Sequence, residues 1–260
     1  MRGARPSVGG ESFGERLSAV VVVRGLANLR AGLALVAALF GQSVDAVGWN
    51  VDFDTRSSPP AVGGGVPSDL FGAASGQTGR WNSVTVVANV TQTLVDLLGN
   101  PTDVVYHGDG MSGTGGGYND PYNLGDYRYL MNDFNQFSGL RWFELTGLPN
   151  GRYQVWTYAT TPWPWFNPVE VSVLGADPGQ NPQTVTGPIT PNEFGSLITH
   201  SVHDVNVTNG AIRVELFPGP GANVGIVNGF QVVPVPEPGG LITMGGALAA
   251  LLVWRRRIRP

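Results

Sequence analysis

The chain contains neither cysteine nor lysine. The first absence excludes a disulfide framework, a thiolate nucleophile and a Cys-ligated zinc. The second excludes Schiff-base chemistry and a phosphate-loop lysine. Charge is scarce as well: 13% of the 260 residues are charged, and the formal net charge is −4. Every basic residue is Arg, and most Arg lies at the two ends. Between Val47 and Val235 there are six Arg against fifteen Asp and Glu. A body this acidic lacks the clustered cations that phosphate contacts need, so no nucleic-acid partner is expected. Histidine is limited to His107, His200 and His203. Long helical patterns are missing too; 38 Gly and 20 Pro signal many turns between short strands.

What is present begins with two unlike ends. Arg24 and Arg30 precede an apolar run, Ala31 to Phe40. Small residues follow, with Val44 and Ala46 placed as a cleavage site requires. The apolar run, about 10 residues, is too short for a bilayer core of roughly 30 Å. Residues 1–46 are therefore read as a signal peptide cut between Ala46 and Val47, with export through Sec-type machinery. The polar stretch Met1–Ser18 places its functional start near Val21. At the other end, Val235-Pro236-Glu237-Pro238 is followed by an uncharged stretch from Gly239 to Trp254 and by Arg255, Arg256 and Arg257. As a helix that stretch would be about 24 Å long. It is a short transmembrane segment whose Arg cluster stays cytoplasmic. Both ends then put the body outside.

Residues 235–260 resemble the PEP-CTERM sorting domain: Pro-Glu-Pro, a short apolar helix and a terminal Arg cluster, in that order. The resemblance implies recognition and cleavage near Pro236-Glu237-Pro238 by an exosortase-type membrane protease. It also implies transient membrane anchoring, release to the cell surface or extracellular space, and an association with biofilm and extracellular polysaccharide.

Between the ends, residues 47–234 read as short strands. Arg141–Leu145 and Arg152–Tyr158 flank a Gly-Leu-Pro-Asn-Gly turn. Val169, Val171 and Val173 alternate with polar residues. Val205–Val207 and Ile212–Leu216 flank Asn209-Gly210, which predicts a hairpin. Trp49–Phe53, Ser83–Val90, Val104–Tyr106 and Ile226–Val233 complete the set, with a helical turn or two in Asp126–Phe134. Gly108–Gly125 reads as a loop without regular structure. The fold class is all-β, a jelly-roll-like two-sheet β-sandwich. Leu145–Val155 and Asn228–Val232 resemble segments of galactose-binding-like and malectin-like jelly rolls.

No catalytic motif stands out. His200 and His203, three apart, would face opposite sides of a strand, which argues against a two-His metal site; solvated or turn histidines are expected. Ser112 lacks the final Gly of a nucleophile elbow, and Gly113–Gly117 lacks a nucleotide-binding pattern. No cofactor is expected. Asp109, Asp120 and Asp126, with Asn119, are the candidate Ca²⁺ ligands, since oxygen donors in a Gly-rich loop suit that ion; a solvated acidic loop is the plainer reading. Trp156, Tyr158, Trp163, Trp165 and Phe166 are the candidate glycan-binding residues, because exposed aromatic faces stack on sugar rings. Alternatively, Trp163–Phe166 folds back over Trp156 and Tyr158 as a satellite core. The function expected is an exported, non-catalytic surface or matrix protein that binds polysaccharide. The alternative is an extracellular carbohydrate-active enzyme, a glycoside hydrolase or lyase.

Overall fold

The structure, a computed structural model, describes residues 47–54, 65–85, 89–109, 115–117, 121–160, 167–187 and 191–236. The signal peptide with Ala46, the aromatic run holding Trp163, Trp165 and Phe166, Asp120, and the tail from Glu237 through Pro238 to Arg255, Arg256 and Arg257 lie outside the described residues. No helix among the described residues is long and apolar enough to cross a membrane.

In chain order the elements are β1 (Trp49–Asp52), β2 (Trp81–Ser83), β3 (Thr91–Val95), β4 (Pro101–Asp109), β5 (Gly115–Gly117), α1 (Gly125–Asn132), β6 (Asp133–Phe137), β7 (Arg141–Thr146), β8 (Gly151–Tyr158), β9 (Val169–Val173), β10 (Gln183–Val185), β11 (His200–Val207), β12 (Ala211–Pro218), β13 (Gly225–Val227) and β14 (Gly229–Pro234). Two large sheets make an all-β sandwich. One runs β11-β8-β14-β1-β2 and the other β10-β9-β12-β7-β4-β3, while β13-β6-β5 form a small third sheet. All pairings are antiparallel except β1 with β2.

Alternation along the strands builds the core. Val155 and Tyr153 of β8, Val205 and Val207 of β11, and Ile212, Val214 and Leu216 of β12 all point between the sheets. At its centre Phe143 and Phe230 stack at 4.4 Å across the sandwich. Tyr106 stacks on both, and Phe53 meets Tyr106 and Phe143 edge-on at 5.9 Å. Such aromatic pairs add about 0.5–1.5 kcal/mol each beyond their buried area.

The five-stranded sheet is covered on its other face too. Trp81, Tyr158, Tyr127, Leu130 and Met131 form a second cluster, joined by Phe71, Ala74, Trp156 and Phe194. This explains why every residue of β1 is buried. The polar residues there are matched to one another: Asn50 Oδ1 accepts from Gln77 Nε2 and Gln231 Nε2, both at 2.8 Å.

Three expectations are corrected. Val205–Val207 and Ile212–Leu216 do not pair: β11 adds to β8 and β12 to β7 and β9, in the opposite sheet. The Asn209-Gly210 turn is thus an arch between sheets. Turn chemistry reverses the chain either way, and here both flanking strands bury their apolar side against each other across the sandwich. The Gly-rich stretch is not wholly irregular, since β5 lies within it. The strand predicted at Ser83–Val90 is instead β2, ending at Ser83.

Candidate functional site

The proposed sugar-stacking face of β8 is mostly interior. Tyr158 is 0% exposed, and its hydroxyl donates to Gln231 Oε1 at 2.5 Å while accepting from the Ala74 N–H at 3.0 Å. A ring so enclosed cannot stack on a glycan, so Tyr158 is removed from the candidates. Trp156 is half-buried, with its ring centroid 5.1 Å from that of His200. The cover comes from the segment around Phe71–Ala74, from α1 and from Phe194. His200 and His203 do lie on opposite faces of β11, but neither is solvated. His200 sits among Trp156, Tyr158 and Phe194, and His203 points into the main core at 0% exposure. Burial pushes each imidazole down to about 4.

A different set of residues converges where β1 and β8 end and β6 begins. Asn228 is the hub. Its Nδ2 donates to the Asp133 carbonyl at 2.9 Å and the Met131 carbonyl at 3.3 Å. Its Oδ1 accepts from the Thr160 N–H at 2.9 Å. Its backbone carbonyl accepts from Phe53, and its own N–H donates to Tyr158. Asn228 and its neighbours thereby root three chain segments, two of them leading to or lying in stretches singled out by sequence. Thr160 leads into the aromatic run, Phe53 and Asp54 lead into residues 55–64, and β5 of the Gly-rich stretch pairs Gly115 with Asn135 and Gly117 with Asp133.

This end is polar and enclosed. Asp52, Asp133 and Asn135 are each 0% exposed. Among the described residues, neither carboxylate oxygen of Asp52 has a hydrogen-bond partner, nor has either amide atom of Asn135, nor the Thr160 hydroxyl. Burial first, then the charges of Asp133 and Asp54, raise the Asp52 carboxyl well above the ordinary carboxylate range. Asp54 accepts from Ser83 Oγ at 3.0 Å.

The sequence-derived Ca²⁺ candidates do not assemble among the described residues. Both oxygens of Asp126, in the first turn of α1, are taken by Ser68, from its N–H at 2.8 Å and its Oγ at 2.7 Å. Asp109 stands on β4, in register with Trp142 of β7. No group of three His, Cys, Asp or Glu suited to a metal occurs among the described residues.

One surface was missed. On the outward face of the six-stranded sheet, Asp109, Trp142 and Glu215 lie in one row across β4, β7 and β12. The Arg213 guanidinium packs 4.2 Å from the Trp142 ring centre and 3.3 Å from Glu215. Alternation alone, with Phe143 inward, could have put Trp142 outside.

No family model and no curated protein matches the chain. Solved structures with a related outline include a Bacillus subtilis protein, 12% identical with a TM-score of 0.37, the match covering 72% of this chain and 40% of that one. A family 61 carbohydrate-binding module, solved with β-1,4-galactotriose, is 20% identical with a TM-score of 0.28, covering 51% of this chain and 89% of its own. The extracellular domain of Arabidopsis thaliana ANXUR1 is 9% identical with a TM-score of 0.36, covering 74% and 51%. The chain thus spans about two fifths of the Bacillus protein's length. At these scores the likenesses carry no inference about ligand or activity.

Proposed function

We propose that this is an exported, non-catalytic surface protein whose sandwich binds extracellular polysaccharide at the Asn228 end, and whose tail is cut near Pro236-Glu237-Pro238 by an exosortase-type protease. One observation carries the binding reading: the stretch with Trp163, Trp165 and Phe166 starts at Thr160, which is anchored to Asn228, and the same Asn228 holds Phe53 next to the half-buried Asp54. Aromatic faces with a reachable carboxylate nearby are the chemistry that holds a polyhydroxylated ring. Binding is favoured over hydrolysis because Asp52 and Asp133, close enough to repel each other, are both closed to solvent. A glycosidase needs its carboxylate pair open to the sugar.

The test is binding of the exported protein to polysaccharide extracted from its own host's matrix. Replacing both Trp163 and Trp165 by Ala should weaken binding at least about tenfold, as loss of stacked anchors does. Unchanged affinity would remove the loop end as the site.

A further inference from the structure

Asp52 poses a problem that the fold leaves unsolved. Its carboxyl is wholly enclosed, both oxygens lack a hydrogen bond among the described residues, and the charged groups that act on it, Asp133 and Asp54, are negative. Among the described residues no ion pair reaches it. An enclosed polar group without partners is costly, and one facing like charges more so. Protonation would remove the charge but still leave Asp52 without partners. Asn135 repeats the problem independently. It is enclosed, both ends of its amide are unsatisfied, and it lies two residues after Asp133 on the same face of β6. Both strands are pinned: Phe53 and the Asp133 carbonyl each bond to Asn228.

We infer that Asp52, Asp133 and Asn135 form a binding site for a hard divalent cation, Ca²⁺, at the root of the loop end. The donors are all oxygens, two carboxylates and an amide carbonyl, the set that Ca²⁺ prefers and Zn²⁺ does not. The positive ion supplies what Asp52 and the Asn135 carbonyl oxygen lack, and it turns the repulsion between Asp52 and Asp133 into shared attraction. Remaining coordination positions fall to water or backbone carbonyls, as is usual for this ion. A cation here ties β1 to β6, and through β6 to the Gly-rich β5 paired with it. It therefore braces the segments proposed to hold the glycan, yet the site stands whether or not a glycan binds.

The test uses the full chain, stripped with EDTA, with CaCl₂ as the only added ligand. Affinity in the range of extracellular modules, Kd about 10⁻⁴–10⁻³ M or tighter, is expected. At tenfold excess over Kd the Tm should rise by about 3–6 °C. Asp52→Asn keeps the side chain's shape and should fold, and it should lose the Ca²⁺-dependent rise. Asn135→Ala, the second variant in case Asp52→Asn fails to fold, should weaken Ca²⁺ binding about tenfold. Asp126→Asn, whose carboxylate serves Ser68, should keep the rise. No Ca²⁺-dependent rise in the unaltered protein, or a rise that persists in both Asp52→Asn and Asn135→Ala, overturns the site. Because no polysaccharide is present, either result is independent of the glycan-binding reading.

Discussion

Two histidines show how a single residue reports its surroundings. His200 and His203 are held neutral in the fold, with burial pushing both down to about 4. In the unfolded chain each takes a proton near pH 6.5. Between those values the unfolded state binds more protons at these two sites, so the histidines' share of stability falls as pH falls from about 6.5 toward 4, while Asp52, whose raised carboxyl keeps its proton in the fold, contributes in the opposite sense. Asp204, beside His203, opposes this shift without cancelling it. In urea unfolding, the change in midpoint from pH 7 to pH 5 should be less destabilising in His203→Gln than in the unaltered protein. An equal pH dependence in both would mean that the His203 imidazole is solvated. Asn228 gives a second residue-scale test. Asn228→Ala takes the side-chain acceptor from the buried Thr160 N–H, at about 1–3 kcal/mol for a group left unsatisfied, read as a drop in the urea midpoint. Neither role was legible in sequence. Asn228 was readable as the start of a strand, but its partners come from positions 131, 133 and 160, and no local pattern announces them.

Elements were far more legible than their partners. The alternation in β7, β8, β9, β11 and β12 is strong enough to be read directly, and each is a strand in the structure. β3, β5, β6 and β10 escaped: Thr91–Val95 alternates weakly, three glycines carry no side-chain pattern at all, the start of β6 was read with the helix before it, and β10 is only three residues long. Pairing escaped for a different reason. The Gly147–Gly151 turn and the Asn209-Gly210 turn both look like hairpin loops, yet each carries the chain from one sheet to the other. The choice between hairpin and arch depends on which distant strand offers an open edge. Gly147 marks the first crossing. It has φ +78, and a Cβ there would press on the Asp103 backbone carbonyl. Gly147→Ala should therefore cost about 1–3 kcal/mol, read as a drop in the urea midpoint. No loss would show that the turn relaxes freely.

For the whole molecule the two ends and the body make separable claims. Mass spectrometry of the exported form should find its N-terminus at Val47. In a host carrying the protease, Glu237→Ala should be exported but left uncleaved and held in the membrane, because the change spares the apolar stretch and the Arg cluster. Deleting Arg255, Arg256 and Arg257 should instead weaken retention before cleavage. Processing of Glu237→Ala at the normal rate would reduce the tail to a plain anchor. The body's claim is where polysaccharide binds, and two surfaces compete for it: the Asn228 end, and the Trp142–Arg213 row on the six-stranded sheet. Titrating the isotopically labelled exported protein with oligosaccharides cut from the host's matrix polysaccharide separates them by amide chemical shift. The account predicts shifts concentrated at Phe53, Asp54, Gly115–Gly117, Asn135 and Thr160. Shifts centred on Asp109, Trp142, Arg213 and Glu215, or no shifts at saturating oligosaccharide, would contradict it.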